Sequence, residues 1–308
     1  MIYTLTLNPA LDRFIVIDKL MDEDTIRVIE EKFYAAGKGI DVSRVIRELG
    51  GESVVLGLLG GYDGLNLEGL LINAGVITDF TKISQETRTN IIIKERSSGR
   101  QFVISAKGPE VTAAEVGQIY NHVQSIRGMD YLVMSGSLPR GVTANLYGQL
   151  ILAAKKQRAL VFLDTDGIAL KESVNYQPSG IKPNLFELSR LVNRELKNEK
   201  DIIVACEEIH QKAVPYILVS RGKDGLILST KEQIIMAKAP AIKVGSTVGA
   251  GDSTLAGFIL AHSQGKDLSE CVRLACAAGT ATAMTPGTEL CHKEDLEKIL
   301  TEVEISYL

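Results

Sequence analysis

Cysteine is scarce in this chain. Cys206, Cys271, Cys276 and Cys291 are the four among 308 residues, and no two of them stand as C-x-x-C. That spacing excludes the usual zinc and dithiol motifs, and a chain this long needs no disulfide staples, so the thiols read as reduced and the protein as cytoplasmic. Long apolar runs are absent as well: none reaches the length that spans a bilayer, which speaks against a membrane partner. Basic charge is not in excess. Thirty-four Lys and Arg against 38 Asp and Glu leave a formal net charge of -4, where a nucleic-acid protein would show a basic surplus or stripe. The four histidines, His122, His210, His262 and His292, show no metal spacing, and neither a G-x-S-x-G elbow nor a protein-kinase signature set is present. No stretch rich in Pro, Gly or Ser marks a linker, and there is no repeat. The first residues, Met1–Leu7, read as a strand and lack the basic region and cleavage site of a signal peptide.

What is present is an ordinary globular composition, 45% hydrophobic, in a chain long enough to bury a sizeable core. Short apolar runs at Ser53–Leu59, Tyr131–Met134, Leu160–Asp164 and Tyr216–Ser220 read as strands. Helical patterns fall at Asp41–Leu49, Ala144–Gln157, Asn184–Val192 and Asp201–Gln211. That alternation predicts βαβ units, an α/β protein with a mostly parallel sheet and helices on both faces. Two charged, alternating segments break the pattern, at about 13–33 and 89–104, the second with the hairpin signal Ser97-Ser98-Gly99. The expectation is one domain over 1–308 in which these segments pair as a small sheet, a lid that excludes water.

Several constellations carry chemistry. In Ser246-Thr247-Val248-Gly249-Ala250-Gly251-Asp252-Ser253 three small residues precede a carboxylate and an apolar run follows. Small residues admit a ligand close to the backbone, and the helix that follows would aim its free N–H groups at an anion. Asp252 then reads as a general base beside a phosphate cradle, or as an Asp in a glycine-rich turn. Ala36-Gly37-Lys38-Gly39-Ile40-Asp41 feeds a second helix; it is no Walker loop, and reads as a sugar-phosphate site or a plain strand-to-helix turn. Asp12, after Asn8-Pro9-Ala10, is placed to accept from substrate hydroxyls or to cap a turn. Arg88, and Arg27 in the first lid segment, fork onto a substrate phosphate or lie as solvated charge. Asn184 and Glu187 share a helical face that could position magnesium-bound water, and they also fit a capping box. Ser220-Arg221-Gly222-Lys223-Asp224-Gly225 reads first as a hairpin turn and otherwise as a wall of a nucleotide pocket. Leu160–Gly167 ends in D-x-D-G, which resembles the nucleophile motif of haloacid-dehalogenase-type phosphatases. Here it lies mid-chain with Ile168 after the glycine, so Asp164 and Asp166 are expected to line a strand-end cleft instead.

Taken in order, Asn8-Pro9-Ala10-x-Asp12, Ala36-Gly37-Lys38-Gly39, Thr87-Arg88, Ser135-Gly136-Ser137-Leu138-Pro139, Lys182-Pro183-Asn184-x-x-Glu187 and Gly249-Ala250-Gly251-Asp252 resemble the ribokinase-like, PfkB-type carbohydrate kinases. Within them the chain is similar to the phosphofructokinase and tagatose-6-phosphate kinase branch. The resemblance implies a Rossmann-like three-layer αβα sandwich, with a small β-sheet lid through which the family often forms homodimers. It also implies ATP and Mg²⁺ as co-substrate and cofactor, and a small-molecule sugar phosphate as acceptor. It makes Asp252 the base and Gly249, Ala250 and Gly251 the anion hole. Asp12, Arg27, Gly37, Lys38, Gly39, Asp41, Arg88, Asn90 and Ser137 fall on the sugar-phosphate side. Lys182, Asn184, Ser220, Gly222, Gly225, Ser246 and Gly279 fall on the ATP side, with Asn184 and Glu187 managing magnesium through water. The branch usually has Asn where this chain has Asp41, and an ionised Asp only accepts hydrogen bonds. The expected reaction is phosphorylation of fructose 1-phosphate to fructose 1,6-bisphosphate, then of tagatose 6-phosphate or fructose 6-phosphate. An aspartyl-phosphatase and a silent sugar-phosphate-binding regulator remain as alternatives.

Overall fold

A computed structural model describes residues 1–22 and 24–308. Among these residues the strands are β1 (Ile2–Thr6), β2 (Ala10–Ile17), β3 (Glu30–Ala36), β4 (Ser53–Leu59), β5 (Ile77–Thr78), β6 (Thr81–Lys82), β7 (Arg88–Glu95), β8 (Gln101–Ile104), β9 (Tyr131–Ser135), β10 (Leu160–Asp164), β11 (Gly180–Ile181), β12 (Tyr216–Ser220), β13 (Leu226–Ser229), β14 (Ile234–Lys238) and β15 (Glu304–Tyr307). The helices are α1 (Lys38–Glu48), α2 (Gly61–Asn73), α3 (Ala113–Ser125), α4 (Asn145–Lys156), α5 (Gly167–Ser173), α6 (Leu185–Leu191), α7 (Glu199–His210), α8 (Ala250–Ser263), α9 (Leu268–Met284) and α10 (Lys293–Leu300). None of them is long and apolar enough to cross a membrane.

The large sheet runs β15-β14-β13-β12-β11-β10-β9-β1-β4-β5, with β6 added on β4. Its pairings are parallel from β12 through β4, and antiparallel between β12 and β15. Side chains alternate across it, which divides the core into two layers. Leu132, Met134, Val161 and Leu163 point to the side packed by α3 to α7. Val133 and Phe162 point to the side packed by α1, α8, α9 and α10. This is the expected three-layer α/β sandwich.

The two segments that break the alternation pair with each other, as a separate sheet ordered β3-β2-β7-β8. It is mixed: β2 and β3 are antiparallel, β2 and β7 parallel, β7 and β8 antiparallel. The sheet begins at Ala10 and runs on to Ala36, earlier and later than the pattern suggested, because Asp12 and the residues before Gly37 are themselves in strands. The hairpin at Ser97–Gly99 joins β7 to β8 as the turn residues predict.

Strands β4, β10 and β12 match their expected bounds, but α1 begins at Lys38 rather than Asp41. Two glycines make the earlier start feasible. Gly37 has φ +147°, and a Cβ on Gly39 would lie 2.7 Å from Thr6 Oγ1 and 3.0 Å from the Leu5 carbonyl. Only glycine lets the helix start this close to β1. Thr6 Oγ1 in turn accepts the Ile40 N–H at 3.1 Å, so one orphan donor of the first turn is met by the strand itself.

The helix that follows the Gly249–Gly251 turn packs on α9 through a third glycine. A Cβ on Gly257 would lie 2.8 Å from the Leu274 carbonyl and 3.0 Å from Ala275 Cα. Gly257→Val therefore has to push α8 and α9 apart, at a cost of roughly 1–3 kcal/mol. Thermal unfolding of the purified variant should show the lowered midpoint; an unchanged midpoint would mean the helices are not in contact there.

Candidate active site

The carboxyl ends of β1, β4, β9, β10 and β11 lie side by side in the parallel sheet, the place where open α/β sheets bind ligands. The turn before α8 comes to this edge. Gly249 is its N-cap, in the left-handed region at φ +76°, with no side-chain cap. Ala250 N–H reaches the Thr247 carbonyl at 3.4 Å, while the N–H groups of Gly251 and Asp252 have no acceptor among the described residues. These free donors and the positive end of a fourteen-residue helix form a ready anion site.

Asp252 follows directly and is buried. Burial first, then the charges of Asp164 and Asp41, push its carboxyl well above the usual value, while Lys38 and Lys182 pull it back. A carboxylate so placed is a strong proton acceptor.

Lys38, in the first turn of α1, donates to Asp164 Oδ1 at 3.0 Å. Lys182, just after β11, lies 3.1 Å from the other oxygen of the same carboxylate. Burial works against the Lys38 ammonium, but Asp164 and then Asp252 outweigh it and hold its pKa above that of ordinary lysine. Burial also opposes ionisation of Asp164, yet Lys182 and Lys38 keep it below the ordinary value. Lys182 reaches the anion site too: a Cβ on Gly251 would lie 3.2 Å from its Nζ.

Asp12 and Asn90 stand on the small sheet. They are register partners on β2 and β7, and Asn90 Nδ2 donates to Asp12 Oδ1 at 2.8 Å. Asp12 is buried, and that burial raises its pKa. Asp41, in the first turn of α1, accepts from Arg44 Nη1 at 3.1 Å. Its carboxyl is pushed up to about 6 by burial and by Asp12, against the pull of Arg44. Ser137 is exposed on the loop after β9, with its Oγ 3.3 Å from Asn8 Nδ2.

Asn184 and Glu187 form the capping box of α6, with each backbone N–H donating to the other's side chain, at 2.8 and 2.9 Å. A single parallel bridge sets Asn184 beside Ser220, which brings two residues expected on the ATP side together. The Ser220–Gly225 segment is the hairpin between β12 and β13, as its glycines at φ +61° and +86° suggested. Ser246 lies partly open on the loop before α8 and accepts the Val248 N–H at 3.2 Å.

Three expectations change. Arg88 does not present an open fork: its guanidinium donates to the carbonyls of Asn8 at 2.9 Å, Ala106 at 3.0 Å and Pro9 at 3.4 Å. Partly buried, it ties the Asn8-Pro9 turn that leads into β2, and so Asp12, to the segment after β8, its donors satisfied by main-chain oxygens. Arg27 is exposed on the β2–β3 connection and makes no side-chain hydrogen bond or ion pair among the described residues. Gly279 is a packing residue of α9, where a Cβ would lie 2.2 Å from Thr254 Oγ1 and 3.0 Å from the Ala250 carbonyl; it supports the first turn of α8 from behind. The phosphatase alternative also fails for Asp164, whose side chain is wholly buried between two lysines and has no open face from which to attack. Asp166 instead caps α5 and pairs with Arg190.

Two residues of the cluster lie outside the motifs of the kinase resemblance. Asp164 is legible in the sequence through the D-x-D-G run, as an acid expected at a strand-end cleft, and Arg44 only as a polar position of α1.

A buried carboxylate, a helix N-terminus with free donors and two lysines at one sheet edge suit a phosphotransferase. Residues 6–295 match the pfkB family carbohydrate kinases, and the chain belongs to that family. The 1-phosphofructokinase of Borreliella burgdorferi is 36% identical over 306 residues, covering 99% of this chain and 98% of its own. The D-tagatose-1-phosphate kinase of Bacillus licheniformis is 33% identical over 309 residues, covering 100% of both. The crystal structure of phosphofructokinase-2 from Escherichia coli in complex with substrates and products matches with a TM-score of 0.91 and 35% identity over 98% of each chain.

The Asp41 carboxyl, at about 6 against the ordinary 3.8, binds a proton in the folded protein that the unfolded chain has already lost. This group therefore favours folding at low pH and subtracts stability as pH rises from 3.8 to about 6. Asp41→Asn should raise the melting temperature over that of the native protein more at pH 7 than at about pH 4. A gain that shrinks with rising pH would contradict the assignment.

Proposed function

We propose that this protein transfers the γ-phosphoryl group of ATP to a hydroxymethyl group of a ketohexose phosphate, with fructose 1-phosphate as the first substrate and fructose 1,6-bisphosphate as its product. Tagatose 6-phosphate and fructose 6-phosphate are the next acceptors. The relative from Bacillus licheniformis adds tagatose 1-phosphate, whose phosphate sits at the same carbon as in fructose 1-phosphate. The observation that carries this reading is Asp252, buried beside the free donors of α8 and faced by two lysines.

The residues present fit both ATP and magnesium. The turn at Gly249–Gly251 leaves a cradle that a side chain on Gly251 would crowd, suited to the transferring phosphoryl group. Mg²⁺ prefers one or two carboxylates together with phosphates and water, and Glu187 with Asn184 supplies a donor set of that kind. When bound, the metal neutralises phosphate charge. Asp252 takes the proton from the acceptor hydroxyl, whose oxygen attacks the γ-phosphorus in line. The N–H groups of Gly251 and Asp252 meet the charge on the transferring group, and the Lys38 and Lys182 ammoniums add to that. Asp12, Asn90, Asp41, Gly37, Gly39 and Ser137 line the sugar side. Ser220, Gly222, Gly225 and Ser246 line the nucleotide side.

In this reading the chain acts as one kinase domain whose four-stranded sheet is a lid. Val103 and Ile104 on β8 and Phe33 on β3 are exposed apolar side chains of that sheet, which fits a homodimer formed through it. The four buried thiols are all free, which fits the cytoplasm.

ADP release with ATP and Mg²⁺ is the test, run against fructose 1-phosphate, the two tagatose phosphates, fructose 6-phosphate and fructose. One ketohexose phosphate should stand out in kcat/KM; turnover of fructose alone would remove the substrate phosphate from the scheme. Asp252→Asn should lose about 10²–10⁴-fold in kcat, the usual range for a general base, and still bind ATP. Near-normal turnover in the folded variant would overturn the mechanism.

A further inference from the structure

The least explained group at the sheet edge is Asp164. It belongs to no motif of the kinase reading, yet its carboxylate stands between the two lysines of the site. Lys38 comes from the first turn of α1, on the sugar side. Lys182 follows β11 and lies beside Gly251 of the anion site. Asp164 ends β10, wholly buried, and Lys182 is 4% exposed, whereas Lys38 is 38% exposed and open to the cleft. The two contacts also differ in kind. Lys38 makes a directed hydrogen bond to Oδ1, while Oδ2 accepts none and faces Lys182 as an ion pair at 3.1 Å.

We infer that Asp164 is a positioning residue for phosphoryl transfer: it spaces the Lys38 and Lys182 ammoniums across the transfer path and keeps both from pairing with the base, Asp252. This inference rests on the kinase reading above.

The physical case is one of competing partners. Two ammoniums brought to one cleft repel each other, and a buried ammonium without a counter-charge is strongly unfavourable. Without Asp164 the lysines would turn to the next carboxylate that they already influence, and that is Asp252. A base held by a lysine is a weaker proton acceptor, and a lysine held by the base no longer meets the transferring group. The charged groups acting on Asp252 are Asp164 on β10, Asp41 and Lys38 on α1, and Lys182 after β11. Removing the Asp164 charge lowers the proton affinity of Asp252 in two ways: one like charge disappears, and two cations are released toward it.

The experiment compares the native protein with Asp164→Asn, Asp164→Glu, Lys182→Gln and the Asp164→Asn/Lys182→Gln pair, reading ADP release against pH on the preferred ketohexose phosphate. The native protein is the control for the kinase reading, which fails if it turns over none of the sugar phosphates. If it turns one over, the variants decide this inference alone. Asp164→Asn should lower kcat by about 100-fold, on the scale of lost electrostatic positioning, and move the acid limb of the kcat/KM profile to lower pH. Asp164→Glu keeps the charge on a longer arm, so the acid limb should stay near its native place while kcat remains low. Lys182→Gln should cost much less in the Asp164→Asn background than alone, since the two act as a unit. A folded Asp164→Asn protein with kcat within about threefold of native, an unmoved acid limb, or losses that simply multiply would overturn the inference. A merely structural role would lower the melting temperature and leave the acid limb in place. Should Asp164→Asn fail to fold, Lys182→Met is compared with Lys182→Met/Asp164→Asn, which contains no unpaired buried lysine. A further loss of kcat with a shifted acid limb is then expected, and no further change overturns the proposal.

Discussion

A parallel sheet brings the carboxyl ends of its strands to one edge, and charge collected there has to be neutralised from within. The site depends on that constraint. Asp164 can stay ionised without exposed surface because Lys38 and Lys182, from elements 126 and 18 residues away in sequence, reach it at 3.0 and 3.1 Å. Lys38 can stay charged because Asp164 is there. Asp252 is kept proton-hungry by the same group of charges. Altering one member changes the proton affinity of the others, so the cluster behaves as a single electrostatic unit.

Close backbone approach is the second requirement, and glycine meets it. Gly39 allows α1 to begin against β1, which sets Lys38 and Asp41 in its first turn. Gly257 and Gly279 allow α8 to lie on α9, which holds the Gly249–Asp252 turn at the sheet edge. The site is loaded with charge, and it is held in place by contacts at which no side chain fits.

Much of the fold is legible in the order of the residues. The alternation of apolar strands and helical patterns points to the three-layer sandwich, and β4, β10 and β12 fall where their apolar runs fall. Such runs are buried on both faces, so they need no partner to be recognised. The small sheet is legible as a break in the pattern, but its bounds are not, because Ala10, Asp12 and Ala36 look like turn residues until β2, β3 and β7 pair. The start of α1 is misplaced by the pattern for a related reason: Gly37-Lys38-Gly39 reads as a flexible turn until Thr6 and Leu5 are seen to close on it.

The candidate site divides along the same line. Residue order alone singles out Asp252 with its small-residue turn, Lys38, Asp12 and the Asn184–Glu187 pair, because that chemistry demands local patterns of a few residues. The working partner of each residue is a matter of tertiary structure. Arg88 spends its guanidinium on three carbonyls, Gly279 supports a helix, Asp41 pairs with Arg44 and faces Asp12, and Asp164 holds two lysines. These pairings join segments distant in sequence, and their energies depend on burial and distance, neither of which a linear pattern contains. The sequence by itself determined the class of chemistry and the fold that supports it; the tertiary structure decided which charges meet, because only packing sets how far apart they are and how little water lies between them.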